Sequence, residues 1–249
     1  MAWPAGNSGV AAYFAPENGV NGSLAIQVIN STSNTSLMPI YNSNSGNSTV
    51  GISTQLMFNS SAVLKVAVLG SIRTIRDFSE GPSLLYAPIQ SAIKYVKVEG
   101  GVEISRLWLD NITTTTLSFT NKDSGVTLNT TGNATITFQP GTYTVNASFN
   151  YPQLTSYSTK EVLNSESTSL VTSSTIQTDS LAFLSYTSKL LAGGWRFLTY
   201  FGRDSMISAL LLEPVLSSGE GGALEAVLAG VLERVNASDG SVCHEETIG

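Results

Sequence analysis

The chain has 249 residues, of which 42% are hydrophobic and only 12% charged, with a formal net charge of −6; the charged fraction is about half that of an ordinary soluble domain. No basic stripe exists to neutralise phosphates or to meet an anionic bilayer, which argues against nucleic acid and membrane partners. No apolar run approaches the roughly 18–20 residues that span a bilayer, and the richest window, Ala62–Ile75, carries Lys65 and Arg73 and reads as a buried strand.

Residues 1–150 read as an antiparallel β-sandwich domain. Short runs rich in Val, Ile, Thr, Phe and Tyr recur between Gly, Asn, Ser and Pro clusters, at Leu24–Ile29, Val63–Leu69, Leu107–Leu109, Thr114–Thr120, Ala134–Phe138 and Thr142–Phe149. In the last of these, Tyr143, Val145, Ala147 and Phe149 alternate with polar residues, the period of a half-buried strand. Ser31–Val50 reads as a loop, and Ser83–Tyr95 holds a short helix with Leu84, Leu85, Ile89 and Ile93 at helical spacing. The pairs Arg73–Asp77 and Arg106–Asp110 read as charges beside strands, structural or rim pairs of this domain.

Residues 151–178 are Ser/Thr-rich without a period and read as a linker crossing the β-domain. From residue 179 the texture turns helical. Asp179 or Ser180 caps a first helix with Leu181, Leu184, Ser188 and Leu191 on one stripe, and Gly193–Gly194 end it. A second helix starts near Asp204 or Ser205 and runs to about Leu212. A third spans about Gly222 to Val235, with Leu224, Val227, Leu228, Val231 and Val235 along one face, and stops at the Asn236–Gly240 turn. The fold class is therefore α+β and multidomain, strands first and helices after.

Two constellations carry chemistry. The connector Trp195-Arg196-Phe197-Leu198-Thr199-Tyr200-Phe201-Gly202-Arg203-Asp204-Ser205-Met206-Ile207 packs aromatics, a glycine and an Arg–Asp pair into the start of a helix. Aromatic faces stack on sugar rings, and carboxylate and guanidinium groups bond vicinal hydroxyls that burial would otherwise leave unpaired. Asp204 as a plain helix cap with Arg203 its solvated neighbour is an equal reading. The second constellation, Asp239-Gly240-Ser241-Val242-Cys243-His244-Glu245-Glu246-Thr247, places the sole histidine beside two carboxylates. Paired carboxylates perform glycoside hydrolysis, but adjacent side chains diverge, so at most one of Glu245 and Glu246 faces a pocket and its partner comes from another segment. A solvated loop is an equal reading of this stretch. A zinc site of the H-E-x-x-H kind needs a second histidine, and there is none. Nor is there a G-x-S-x-G elbow, a P-loop or a dinucleotide fingerprint, so neither cofactor nor metal is expected.

Phe201-Gly202-Arg203-Asp204-Ser205-Met206-Ile207 resembles the Gly-Arg-Asp-Ser/Thr-Met/Leu-Ile signature of six-hairpin glycosidases, above all the glucosidase part of glycogen debranching enzymes, and is similar to the Arg-Asp-Ser segment of glucoamylases. The resemblance covers roughly the last 70 residues. It implies an (α/α)6 barrel behind a β-sandwich, an inverting acid–base mechanism on α-glucosides or α-glucans, and Arg203 and Asp204 gripping the terminal sugar. Trp195, Tyr200 and Phe201 then form the pocket wall; from the second constellation itself, His244 is a candidate sugar contact and Glu245 or Glu246 a candidate catalytic carboxylate. A barrel of twelve helices needs about 300 residues or more, so residues 179–249 would be only its opening helices. The expectation is the front portion of a secreted glycoside hydrolase, inactive alone, with exposed apolar helix faces that a C-terminal continuation or second chain covers. The rival readings are a non-enzymatic, cell-surface or wall-associated carbohydrate-binding protein and a structural module that helps a neighbouring catalytic chain to fold.

N-x-Ser/Thr sequons begin at Asn21, Asn30, Asn34, Asn47, Asn59, Asn111, Asn129, Asn133, Asn146 and Asn236, more than composition alone accounts for. They point to an extracellular or cell-wall glycoprotein. Met1–Val10 has neither a basic start nor an apolar run, so a mature, trimmed or late-starting chain is expected. The single Cys243 reads as a free thiol, half of a disulfide with a partner elsewhere, or a small buried hydrophobe.

Overall fold

Strands dominate the first half of the chain and short helices the second. The computed structural model describes all residues except 3, 5–7, 30–37, 43–48, 82–84, 86, 109–110, 124, 131–133, 151–154, 193–198 and 248–249, and the backbone alone of 38–42, 73, 199, 246 and 247. It divides into two units, Met1–Pro152 and Gln153–Gly249.

In the first unit, β1 (Ser8–Pro16), β5 (Ala62–Ser71), β10 (Thr135–Phe138) and β9 (Val126–Asn129) form a four-stranded sheet in that order. A seven-stranded sheet runs β2 (Ile26–Ile29), β4 (Thr49–Phe58), β11 (Gly141–Asn150), β8 (Thr114–Thr120), β7 (Gly101–Leu107), β6 (Ile93–Val98), with β3 (Met38–Asn42) beside β2 on the same edge of β4. Each pairing is antiparallel. Alternation sets which residues enter the core: β11 buries Tyr143, Val145, Ala147 and Phe149, and β8 buries Thr115, Leu117 and Phe119. The inner faces of both sheets share one core, centred on Phe138. Its ring stacks parallel to Phe58 at 5.5 Å and meets Phe14, Phe119 and Tyr143 edge-on at 5.1–5.5 Å. Edge-on contacts set the positive ring edge of one residue against the negative face of another.

Several expectations are corrected here. The segment 31–50 is not all loop, because β3 and the start of β4 pair with each other through residues 38–42 and 49–53. The Ala62–Ile75 strand ends at Ser71, whose hydroxyl accepts from Thr74 N–H and starts helix α1 (Ile72–Ser79). The short helix expected within 83–95 is α2 (Ala87–Ser91), and Ile93, expected on its stripe, instead starts β6. Arg106 is no rim charge: it is 5% exposed, its guanidinium 5.5 Å from the centroid of buried Trp108; Asp110 lies outside the described residues. Arg76 pairs with Asp77 at the surface of α1, while the Arg73 side chain lies outside the described residues.

In the second unit, residues 155–178 do not behave as a linker. Tyr157, Val162 and Leu163 lie in the unit's own core with Ala182, Leu190, Ala209, Leu216, Ala223 and Val227. A reciprocal capping box fixes the turn before Val162: Glu161 accepts from Ser158 N–H at 2.8 Å, and Ser158 accepts from Glu161 N–H at 3.3 Å. Helices α3 (Leu170–Ser173) and α4 (Thr175–Leu184) follow, so α4 starts before the expected Asp179 or Ser180 cap. Hydroxyls of Thr178 and Ser180 bond carbonyls one turn back, which lets poor helix formers sit inside a helix. The stripe expected to continue to Leu191 instead turns into a hairpin of β12 (Ser185–Tyr186) and β13 (Lys189–Leu190); Gly193–Gly194 lie outside the described residues. Helix α5 (Gly202–Leu212) and helix α6 (Ala223–Leu232) complete the layer. The apolar face of α6 is the expected one only in part: Val227 is buried and Leu224 packs against the core as expected, Ala223, Ala226 and Gly230 turn inward beside them, and Leu228 and Leu232 are exposed. A Cβ on Gly230 would sit 2.8 Å from the Ser188 carbonyl oxygen, so small residues let α6 lie close to the β12–β13 turn. Val235 leaves the helix and bridges Val242. No helix among the described residues is long and apolar enough to cross a membrane.

Replacing Phe138 by Ala removes the ring that four others touch, and should lower the stability of the first unit by about 3–5 kcal/mol, read as a fall in the urea midpoint. The hydroxyl and backbone N–H of Ser158 hold the Glu161 carboxyl below its ordinary value. A depressed carboxyl contributes stability above its unfolded value of about 4.3 and loses it as pH falls through the folded value. Glu161→Gln should therefore flatten the acid limb of the second unit's unfolding below that pH, measured by circular dichroism.

Candidate functional site

The connector leading into α5 and the chain after α6 meet. Past α6, Asn236–Gly240 reverses the chain. Asn236 Oδ1 accepts from Ser238 N–H and Asp239 Oδ1 from Ser241 N–H, each at 2.9 Å, and Gly240 supplies the positive φ of 73°. The hydroxyl and N–H of Ser241 hold the Asp239 carboxyl below its ordinary value. With Val235 and Val242 bridged, the chain returns antiparallel, and β15 (Glu246–Thr247) pairs with β14 (Thr199–Tyr200). Tyr200 stands opposite Glu246, and Phe201 meets His244 edge-on at 5.6 Å between ring centroids. Two segments more than 40 residues apart in sequence thus become neighbours through a two-rung ladder and an aromatic contact.

Phe201 is the N-cap residue of α5 and makes no side-chain capping bond. Asp204 is thus not the cap but lies in the first turn, where the helix dipole favours a negative charge. Arg203 Nε lies 3.9 Å from Asp204 Oδ2, with both side chains well exposed. Such a pair contributes about 0–1 kcal/mol to stability, which leaves both groups available to a ligand. Ser205, the next residue of the signature, is fully buried and donates its hydroxyl hydrogen to the Leu190 carbonyl. That bond ties the first turn of α5 to β13 and sets the direction in which Arg203 and Asp204 project.

Tyr200 is only 2% exposed, so its ring is a core element rather than the expected pocket wall. Lys189 Nζ and the Arg234 guanidinium carbon each lie 5.0 Å from its ring centroid, a cation–π arrangement that anchors β14 between β13 and the end of α6. Phe201 is half-buried; His244 and Glu245 are exposed. Glu246 is described by its backbone only, and Trp195 lies outside the described residues. Cys243 is exposed and a free cysteine, which corrects the reading of it as a buried hydrophobe. Among the described residues no group of three or more His, Cys, Asp and Glu side chains converges to hold a metal ion.

The anchoring roles of Ser205, Lys189 and Arg234 were not foreseen. For Ser205 the available signal was its place in a helix's first turn beside two charged residues; for the two cations there was none, because their common partner is set by packing. Comparison with models of protein families, with curated proteins and with solved structures finds no match to this chain.

Ser205→Ala leaves the buried Leu190 carbonyl without that donor and should lower the stability of the second unit by about 1–3 kcal/mol. Thermal unfolding of the variant against the parent chain checks this, with an unchanged melting profile as the contrary result.

Proposed function

We propose that the chain is the front portion of a glycoside hydrolase acting on α-glucosides or α-glucans. In this reading Arg203 and Asp204 hold the terminal sugar, and one of Glu245 and Glu246 supplies a carboxylate of the acid–base pair. The observation that carries the proposal is the β14–β15 ladder. It sets the strand that leads into α5, whose first turn carries the exposed Arg203–Asp204 pair, beside the segment that carries the exposed His244 and Glu245. Sugar recognition needs such a convergence of planar donors, carboxylate acceptors and aromatic edges.

In the mechanism, the Arg203 guanidinium donates to adjacent ring hydroxyls and the Asp204 carboxylate accepts from them, fixing the sugar's orientation. Two carboxyl groups separated by about 6.5–9.5 Å then act as general acid on the leaving oxygen and general base on water, which inverts the anomeric centre. One comes from Glu245 or Glu246, and the other from a segment still to be assigned. The half-buried Phe201 ring and the exposed His244 ring border the subsite.

The helical unit is proposed to be the opening of an (α/α)6 barrel. Support comes from α5 and α6, whose outward faces carry Leu210, Leu211 and Leu232 at 72%, 75% and 66% exposure. Apolar stripes of this kind fit further helices packed against them. An extracellular, N-glycosylated protein is proposed on the sequons, of which Asn21, Asn59, Asn111, Asn129 and Asn236 are exposed.

The test is hydrolysis of p-nitrophenyl α-glucoside and maltotriose by the native protein as isolated, with the product anomer followed by NMR. Asp204→Ala should lower kcat/KM by at least about 100-fold while the circular dichroism spectrum is kept. Unchanged turnover in that folded variant, or no turnover by the native protein, would overturn the assignment.

A further inference from the structure

The seven-stranded sheet has an outer face built almost without charge. In register across it, Gln55 on β4 stands opposite Thr144 on β11, Thr144 opposite Thr120 on β8, and Thr120 opposite Gly101 on β7. Alternation sends the side chains of this row away from the core, since their neighbours Phe119, Tyr143 and Val145 are buried. Gln55, Thr144 and Thr120 of this row, with Thr142, are the floor of a cleft of about 720 Å³. One wall is the β6–β7 turn with Glu99 and Gly100, and another is the turn after β8 with Asn121 and Lys122. Two consecutive glycines shape the β7 end of this row. Gly100 takes a φ of 66° that tightens the turn, and a Cβ on Gly101 would lie 1.9 Å from the Phe119 carbonyl oxygen, so the last rung carries no side chain.

We propose that this cleft binds a neutral saccharide. Amides and hydroxyls that both donate and accept line it, and a sugar hydroxyl does the same. Glu99 and Lys122 are opposite in sign, so the walls favour neither a phosphate nor a cation. The cleft has no aromatic or aliphatic platform for a lipid or a planar base. Its floor groups repeat at the strand spacing of about 4.8 Å, which is also the separation of alternate equatorial hydroxyls on a pyranose ring. Asn121 is pre-positioned, because its Oδ1 already accepts from Asp123 N–H at 2.8 Å. The volume falls within the usual range for small-molecule sites and leaves room for more than one hexose. Without a stacking ring, binding is weak, in the millimolar range.

The proposal is built wholly from first-unit residues and does not rest on Arg203 and Asp204. The test is an NMR titration of the ¹⁵N-labelled 249-residue chain with maltotriose and, separately, with cellotriose. The expected result is shift changes at the amides of Gln55, Thr120, Asn121 and Thr144 with at least one of the two sugars. The double variant Thr120→Val, Thr144→Val keeps the β-branched shape and removes two hydroxyls, and should weaken binding by about tenfold or more. Asp204→Ala should leave these shifts unchanged. The proposal is overturned if neither sugar moves these amides up to about 50 mM, or if the folded double variant binds as tightly as the parent. Loss of these shifts in Asp204→Ala would also overturn it while leaving the glycosidase reading standing. Retained shifts beside a native protein without turnover would do the reverse.

Discussion

The candidate site depends on one short ladder, the antiparallel pairing of Tyr200 with Glu246 and Thr199 with Thr247. Two rungs alone supply little free energy, and a bare two-stranded ribbon is marginal in water. The pairing is held from outside. Tyr200 is gripped by the cations of Lys189 and Arg234, and Arg234 itself donates to the Gly230 carbonyl on α6. On the other strand, the bridged Val235–Val242 pair and the Asn236–Gly240 reversal aim the chain back toward β14. Without that reversal, His244 and Glu245 would run on from α6 with no relation to Arg203 and Asp204.

A second constraint follows from the low charge of the chain. Few ion pairs are available, and tertiary links come instead from bonds between polar side chains and the backbone. Ser158 and Glu161 cap each other, the Ser217 hydroxyl donates to the Glu161 carbonyl and accepts from Ala223 N–H at the start of α6, and Asn164 donates to the Pro214 carbonyl. Each bond contributes about 1 kcal/mol net, and together they join residues 158–164 to 214–223. The Ser/Thr content that resembles a linker in sequence is thereby a set of tertiary fasteners. In the first unit the same chemistry faces outward, as the Gln, Thr and Ser rows of the larger sheet.

Helix packing in the second unit runs on small residues. Ala209, Ala223, Ala226 and Gly230 form the buried contacts, and the bulky Leu210, Leu211, Leu228 and Leu232 point away. Small inward residues allow close approach, while the leucines leave apolar stripes open to a further layer. Function and packing then share α5: its buried Ser205 and Ala209 fix the helix, and its first turn presents Arg203 and Asp204.

Much of this was legible in the sequence wherever a residue's neighbours along the chain decide its state. The period-2 run of β11, the β8 strand, the order of strands before helices and the helix beginning at the Arg203–Asp204 motif are all of that kind. So is the turn at Asn236–Gly240, whose Asx bonds are local. What the sequence could not carry is anything settled by a distant partner. β3 and the start of β4 hide in an Asn/Ser-rich stretch because each is stabilised by the other. The 155–178 segment reads as a linker because Tyr157, Val162 and Leu163 are too sparse to make a period, yet they fill a core shared with residues 182–227. The buried face of α6 is legible only in part, at Leu224 and Val227, because hydrophobicity favours leucine, whereas the close approach of residue 230 to Ser188 leaves no room for a Cβ. The candidate site follows the same division. Its residues stand out by chemical type, but their meeting is a tertiary fact, since only the folded chain sets residue 200 against residue 246.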